Sequence, residues 1–196
     1  MFSWIPFLTY AVITSATPGP NNIMSMSNAA LRGFRGALPF NFGVWAGFSV
    51  VMLLCTACCG LLSAHIPKLQ PPMLAAGALY MFYLAWQTFH GTSKIESGRP
   101  VGDASSFSGG LFLQFVNPKI YIYCIMSMEA YILPAFSGRP IVLFGFAMLL
   151  AFVGFAFTLC WSAFGSGLRG LFSRHTKTVN AIMALLLVYC AVSLFL

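Results

Sequence analysis

Charged side chains are scarce in this chain, and acidic ones are almost absent. Only 7% of the 196 residues are charged and three are Asp or Glu, whereas 59% are apolar. A soluble domain carries about 25% charged residues, so this composition excludes a soluble globular protein. The apolar runs are about 20 residues long, the length of a membrane-spanning helix and roughly twice that of a barrel strand. The sequence therefore predicts an all-α membrane protein with a single domain, residues 1–196.

The residue groupings that catalysis requires are also missing. His65, His90 and His175 fall in separate segments, and the sequence contains no Ser/His/Asp grouping and no metal-ligand spacing. We therefore predict no enzymatic activity, no metal and no cofactor. The formal net charge of +7 comes from basic residues that stand singly or in pairs in short segments. A nucleic-acid-binding protein has a continuous basic face instead, so we expect no nucleic-acid partner.

Six apolar runs predict six transmembrane helices. They cover about residues 4–30, 38–64, 73–90, 109–133, 141–164 and 179–196. The first run lacks the basic start and the small-residue cleavage site of a signal peptide, so we expect it to remain as helix 1.

The loops between these helices differ in basic residues. Loops 1, 3 and 5 contain seven Lys or Arg residues, and loops 2 and 4 contain only two, Lys68 and Arg139. The seven are Arg32, Arg35, Lys94, Arg99, Arg169, Arg174 and Lys177. Cytoplasmic loops are enriched in Lys and Arg. Loops 1, 3 and 5, including the long polar loop 91–108, are therefore predicted to be cytoplasmic, with both termini periplasmic.

Helices 1 and 4 each contain a stretch that interrupts a helix. The stretches are Thr17-Pro18-Gly19-Pro20-Asn21-Asn22 and Gln114-Phe115-Val116-Asn117-Pro118-Lys119. Proline lacks an N–H group and keeps the preceding residue out of the helical region. In a membrane, the backbone groups that such a break frees need a partner from protein, water or ligand. Both breaks therefore predict a cavity.

The broken helices begin two similar halves of three helices each, about residues 1–90 and 109–196. Because three is an odd number, the second half enters the membrane from the opposite side. This inverted 3+3 repeat is typical of secondary transporters, in which the broken helices mark the binding site. Transport is therefore the leading functional hypothesis.

The breaks predict a site for a small zwitterion. Each half-helix that begins at a break exposes unpaired N–H groups and the positive end of its dipole. Asn21, Asn22 and Lys119 are predicted to hold a carboxylate there, and the carbonyl ends of the preceding half-helices to hold an ammonium group. Alternatively, Lys119 bonds carbonyls that the Pro118 break releases. The predicted substrate-binding residues are Pro18, Gly19, Pro20, Asn21, Asn22, Gln114, Asn117, Pro118 and Lys119.

Two further features lie within the predicted spans. Glu129 is the only acidic residue there, and we consider it a candidate for proton coupling or for an exit gate, with an interfacial carboxylate as the alternative. Gly43 and Gly47 form a GxxxG motif, which allows another backbone to approach closely.

The six cysteines all fall within apolar runs, where a free thiol behaves as a small buried hydrophobe. Cys55 and Cys58 have the spacing of a redox pair, so a membrane thiol-disulfide oxidoreductase is an alternative function. A reactive thiol must be stabilised as a thiolate, and no charged residue lies nearby in the sequence.

The motifs at the two breaks resemble those of the LysE/RhtB family of amino-acid exporters. Pro18-Gly19-Pro20-Asn21 matches the motif of helix 1 in that family, and Asn117-Pro118-Lys119 matches the motif in the middle of the chain. The resemblance covers the whole chain. Further stretches, residues 17–23, 51–55, 113–120 and 184–192, are similar to the branch that exports cysteine and O-acetylserine.

The resemblance implies secondary-active efflux of small neutral amino acids across a bacterial inner membrane, driven by proton antiport. The implied partners are zwitterionic amino acids, protons and the lipid bilayer, with a homo-oligomer left open. Export of threonine, homoserine or leucine on the same scaffold is the alternative; lysine fits less well, because its extra cation needs an acid at mid-membrane. Many relatives carry an Asp after the second glycine of the helix 2 motif, whereas here Phe48 and Ser49 follow Gly47.

Overall fold

The computed structural model of the chain describes residues 2–90, 105–170 and 175–192, without the side chains of residues 59–70, 73 and 176. These ranges contain helices and no strands. The helices are α1 (Trp4–Ala16), α2 (Pro20–Ala57), α3 (Cys59–His90), α4 (Phe107–Val116), α5 (Pro118–Ser127), α6 (Leu133–Phe136), α7 (Pro140–Gly167) and α8 (Thr176–Val192), with a π-helical segment, Met128–Ile132, between α5 and α6. Lys94, Arg99 and Arg174, on which the predicted loop charges partly depend, lie outside the described residues.

Both predicted helix breaks are confirmed. Residues 17–19 separate α1 from α2, and Asn117 separates α4 from α5. Pro20 and Pro118 occupy the first turns of α2 and α5, where a missing N–H group costs nothing because that group has no helical partner. Proline thus both prevents the preceding half-helix from continuing and begins the next one.

The predicted loop at residues 31–37 is wrong. Only Gly33 departs from helical geometry within α2, with φ 78° and ψ 166°, a conformation that glycine adopts readily because it lacks a Cβ atom. The chain reverses there: Met26 lies against Gly165, while Asn41 meets Ser162 further along α2. We call residues 20–32 α2a and residues 34–57 α2b.

The predicted loop at residues 65–72 is also wrong, because these residues lie inside α3. Its three prolines suggested an interruption, but membrane helices tolerate proline where neighbouring groups satisfy the freed carbonyls. The actual junction is Cys58, which ends α2 and donates its N–H to the Leu54 carbonyl at 3.0 Å.

The predicted helices of the second half agree better with the structure. Helix 4 begins at Phe107, where Ser106 Oγ accepts the Gly109 N–H at 3.1 Å, and continues to Phe136 through the π-helical segment. The predicted loop 134–140 therefore shrinks to residues 137–139. Helices 5 and 6 correspond to α7 and α8, and residues 193–196 of predicted helix 6 lie outside the described residues.

Glycines bring the backbones of α2b and α4 into direct contact. A Cβ atom on Gly43 would collide with the Phe107 carbonyl, and one on Gly110 with the Phe40 carbonyl. A Cβ atom on Gly47 would lie 2.6 Å from the Leu111 carbonyl oxygen. The close approach predicted from the GxxxG motif is therefore confirmed, and α4 is the helix that approaches.

Two hydrophobic clusters hold the helices together. One contains Ile23 of α2a with Leu84 of α3 and Leu187 of α8, and the other contains Phe7 of α1 with Ile120 of α5. In lipid such packing acts through van der Waals contact, because the tails are as apolar as the side chains. The two breaks lie where these clusters adjoin, since Asn21 is close to Ile23 and Lys119 precedes Ile120.

Among the described residues, two helices are long and apolar enough to cross a membrane, Pro20–Ala57 and Pro140–Gly167. Shorter apolar helices are Trp4–Ala16, Phe107–Val116 and Lys177–Val192. Each half-helix on either side of a break falls short of a full span by itself, because a span needs about 20 residues.

Candidate functional site

The first break leaves three carbonyls at the end of α1, and side chains from elsewhere in the chain satisfy them. Asn22 donates its amide N–H groups to the Ser15 carbonyl at 2.8 Å and to the Thr17 carbonyl at 3.0 Å. The indole N–H of Trp161, from α7, donates to the Ala16 carbonyl at 3.2 Å. The end of α1 thus depends on both α2a and α7.

The second break is closed by residues next to it. Asn117 has an extended backbone, and its side-chain oxygen accepts the N–H of Lys119 at 3.1 Å, which is the ordinary geometry of an N-cap. The Tyr121 hydroxyl donates to the Phe115 carbonyl at 3.1 Å. Gly77 of α3 packs directly on this break, because a Cβ atom there would lie 2.7 Å from the Val116 carbonyl oxygen.

A pair of amides joins the two breaks. Asn21 Nδ2 donates to Gln114 Oε1 at 2.9 Å, and Gln114 Nε2 donates to Asn21 Oδ1 at 3.1 Å. Asn117 Nδ2 lies 3.4 Å from the same Asn21 oxygen. The side chain of Gln114 is fully buried. This reciprocal pairing fixes the start of α2 relative to the end of α4.

Lys119 reaches across to the opposite break. Its Nζ donates to the Thr17 carbonyl at 3.2 Å and lies 3.3 Å from the position of a Cβ atom on Gly19. The alternative role considered from sequence had Lys119 bonding carbonyls freed by Pro118. The carbonyl that it bonds belongs instead to the Pro18 break.

Two adjoining cavities meet at Lys119. The central cavity, of about 40 Å³, is bounded by Asn21, Asn117 and Lys119 together with Phe48 and Thr158. The side cavity, of about 220 Å³, extends toward α3 and α8. Both cavities share the residues Thr14, Gly19, Pro20, Lys119 and Tyr123. The cavities expected at the two breaks therefore adjoin each other at these shared residues.

The predicted site residues all gather at this junction except Glu129. Seven of them border one of the cavities: Pro18, Gly19, Pro20, Asn21, Asn22, Asn117 and Lys119. Gln114 stands behind Asn21, and Pro118 packs against Gly77. Glu129 is exposed in the π-helical segment and borders neither cavity.

Several residues of the site were not predicted from sequence. Thr158 and Trp161 come from α7, and their spacing of three places them on the same side of a mostly apolar helix. That pairing of polar groups was a usable signal. Tyr123 and Phe48 gave none, because aromatic residues are common throughout the chain.

The cysteines do not form the pair that their spacing suggested. Cys55, Cys124 and Cys190 are buried, Cys58 and Cys160 are exposed, and none of these five forms a disulfide. The expectation that all six are buried is therefore wrong for Cys58 and Cys160. No group of three metal-ligating side chains occurs within the described parts of the chain.

Known proteins similar to this chain are transporters. The model of the LysE type translocator family matches residues 12–196. A protein of Salmonella typhimurium called cysteine/O-acetylserine efflux protein is 39% identical over 96% of this chain and 95% of its own length. The protein of the same name from Escherichia coli K12 is 37% identical over the same shares. No solved structure matches significantly.

These matches confirm the family resemblance that the two proline motifs indicated. They exclude the alternative thiol oxidoreductase, because the family consists of translocators. With its apolar helices, the chain is a membrane transporter that belongs to the LysE family.

Proposed function

We propose that this protein exports small neutral amino acids, cysteine and O-acetylserine first among them, by proton-coupled antiport across the bacterial inner membrane. The substrate binds in the central and side cavities between the two breaks. The proposal rests on the position of Lys119, which borders both cavities and whose ammonium group bonds the Thr17 carbonyl at the end of α1.

The charge of Lys119 calls for an anion. A charged side chain in a membrane costs about 2.5–3.5 kcal/mol on insertion scales, so it is normally paired. Glu129 is the only acidic residue among those the structure describes, and it is exposed and away from the cavities. The carboxylate of an amino acid supplies the missing charge.

The start of α2 provides further donors for that carboxylate. No side chain caps this helix, and Ile23 is the first residue whose N–H bonds the Gly19 carbonyl, at 2.9 Å. The N–H groups of Asn21 and Asn22 precede it at the positive end of the helix dipole. A carboxylate beside Gly19 would therefore meet backbone N–H groups and the Lys119 ammonium together.

We infer that the substrate exchanges partners with Lys119. In this structure the Thr17 carbonyl accepts hydrogen bonds from both Asn22 and Lys119. When Lys119 turns toward the incoming carboxylate, one lone pair of this carbonyl becomes free. The substrate ammonium group can then donate to the Thr17 carbonyl in place of Lys119. The bound zwitterion thus replaces the hydrogen bond between Lys119 and Thr17 and adds an ion pair between Lys119 and the substrate carboxylate.

The side chain of the substrate must be neutral and small. Besides residues of the breaks, the side cavity is bordered by Leu74, Ile122 and Cys190 and by polar Tyr10, Thr14 and Tyr123, and no acidic residue of the described ranges borders it. A cationic side chain such as that of lysine would be buried without a partner. Small neutral amino acids fit these walls, and the relatives named cysteine/O-acetylserine efflux proteins narrow the choice.

The order of the helices supports the proposed six-span, inverted 3+3 topology. The first half begins with the broken helix α1–α2a and continues with α2b and α3. The second half begins with the broken helix α4–α5 and continues with α7 and α8. Corresponding helices pack together, α2b against α7 and α3 against α8. Reporter fusions to both termini test this topology, because six spans require the termini to lie on the same side and the loop charges predict that this side is periplasmic.

The test of the site replaces Lys119 by Ala and measures accumulation of labelled O-acetylserine and cysteine by inverted vesicles. We expect a loss of at least about tenfold, because both the anion site and the partner exchange depend on the ammonium group. Lys177→Ala is the matched control, since Lys177 is exposed at the start of α8.

Equal transport by Lys119→Ala and the wild type, at equal membrane abundance, would remove Lys119 from the site. A proton uncoupler should abolish accumulation by the wild type if export is proton-coupled. Accumulation that continues without a proton gradient would overturn this coupling. Competition by unlabelled threonine, homoserine, leucine and lysine separates the alternative substrates.

A further inference from the structure

We propose that the ring of Tyr10 closes the passage between the cavities at Lys119 and a third cleft at the far end of α1, and so determines when substrate can leave. This inference rests on the proposed export function and adds a residue that the motifs at the breaks do not include. A series of ring contacts joins the two spaces.

The third space, which we call the end cleft, has a volume of about 390 Å³. It lies between the beginning of α1 and the π-helical segment with α6. Its walls are formed by Phe2, Ser3, Pro6, Ala130, Tyr131, Pro134 and Ala135. None of these residues borders the central or side cavity. The end cleft is thus a separate space on the same side of the bundle as α1.

Three tyrosines lie in line between the two spaces. Tyr123 borders both the central and the side cavity, and its ring stacks on Tyr10 with centroids 5.9 Å apart and planes at 19°. Tyr10 in turn contacts Tyr131 at 5.7 Å, and Tyr131 borders the end cleft. Tyr10 also borders the side cavity, so its ring lies between the side cavity and Tyr131 at the end cleft.

Apolar rings support Tyr10 from the side of the end cleft. Phe7, one turn earlier on α1, is fully buried and contacts Tyr131 at 6.2 Å. It also contacts Phe2 at 5.3 Å and Phe146 at 5.5 Å. A zwitterion crossing these rings would lose its hydration without gaining partners, which is strongly unfavourable. The passage is therefore closed to substrate in this conformation.

Both elements that carry the stack are suited to movement. Tyr10 belongs to α1, which the break at residues 17–19 separates from α2. Tyr131 lies in the π-helical segment Met128–Ile132, and single π turns inside α-helices occur frequently at functional sites. Rotation of α1 about the break would part Tyr10 from Tyr123 and Tyr131 and join the side cavity to the end cleft.

The experiment measures passive passage of labelled O-acetylserine through purified protein in liposomes with no proton gradient. Tyr10→Ala removes the separating ring, so we expect gradient-independent equilibration at least about tenfold faster than in the wild type. Tyr10→Phe keeps the ring and should behave as the wild type. Val12→Ala is the matched control, because Val12 lies on the exposed face of the same helix.

A second variant keeps the test decisive if Tyr10→Ala does not fold. Tyr131→Ala removes the neighbouring ring at the end cleft and should also increase the leak. If folded Tyr10→Ala and Tyr131→Ala leak no faster than Val12→Ala while the wild type transports, the role of Tyr10 is overturned and the export function is not. If the wild type moves none of the tested amino acids, the export function itself fails.

Discussion

The two helix breaks look alike in sequence but are held open in different ways. The first covers residues 17–19, and its carbonyls are satisfied by Asn22, Lys119 and Trp161 from three other helices. The second consists of Asn117 alone, which caps its own half-helix by accepting the Lys119 N–H. The hydrogen-bond partners of the first break thus come from the tertiary structure, whereas those of the second come from the neighbouring sequence.

This difference indicates where a conformational change can begin. A break that other helices hold in place changes whenever those helices move or a ligand takes their hydrogen bonds. A break that caps itself keeps its geometry, because its hydrogen bond does not depend on distant helices. We therefore expect the first break to respond to substrate and the second to act as a fixed corner.

The largest effect on stability should come from Asn22→Leu. This change leaves the Ser15 and Thr17 carbonyls without their amide donor, at a cost of about 3 kcal/mol in the free energy of unfolding. Unfolding by SDS in mixed micelles measures the difference. Asn28→Leu is the control, because Asn28 is equally buried at 5% exposure but its amide nitrogen has no partner. Equal losses in the two variants would contradict the dependence of the first break on Asn22.

The next effect concerns the link between the breaks, Asn21 with Gln114. A double-mutant cycle of Asn21→Leu and Gln114→Leu should give a coupling free energy of about 1 kcal/mol, because their amides bond reciprocally and membrane-embedded side-chain pairs contribute amounts of this order. Gln114→Leu combined with Thr9→Ala, on the exposed face of α1, should be additive. Additivity of both pairs would show that the breaks are energetically independent.

A smaller effect is expected from Asn117→Ala. Loss of an N-cap costs about 1 kcal/mol, and the bond from Asn117 to Asn21, at 3.4 Å, is long. Asn117→Ser should restore most of this stability, because a serine oxygen can also accept the N–H of the first turn. If Asn117→Ser were as unstable as Asn117→Ala, the second break would depend on distant contacts, like the first.

The smallest effect should come from Tyr121→Phe. The variant loses only the hydroxyl that donates to the Phe115 carbonyl, and this half-exposed bond contributes about 0.5 kcal/mol or less. Export of labelled O-acetylserine should remain at the wild-type rate. A marked loss of export would mean that the local closure of the second break takes part in transport.

The breaks could be predicted from sequence because their cause is local. Pro18, Pro20 and Pro118 lack N–H groups wherever they lie, so the interruption needs no knowledge of the fold. The partners of the first break could not be predicted, since Trp161 is 145 residues away from Ala16 and only packing brings them together. The carboxylate-binding role of Lys119, which was inferred from a charge in an apolar run, stays a prediction. Its bond to the Thr17 carbonyl could not be predicted, because only the tertiary structure brings the two residues together.

The errors in helix boundaries have a similar origin. The loop expected around Arg32 and Arg35 was inferred from charge, whereas the chain reverses at Gly33 alone, where backbone freedom suffices. The loop at residues 65–72 was inferred from its prolines, which here lie inside α3. The composition of the chain therefore located the apolar helices but did not determine at which residue one helix ends and the next begins.

The contact of α2b with α4 through Gly43, Gly47 and Gly110 leaves no room for sliding between these two helices. Any sideways shift would drive carbonyl oxygens into backbone atoms, so α2b and α4 form a rigid pair of helices. We therefore expect α1, rotating about residues 17–19, to move against this rigid pair, while the capped corner at Asn117 keeps α5 at a fixed angle to α4.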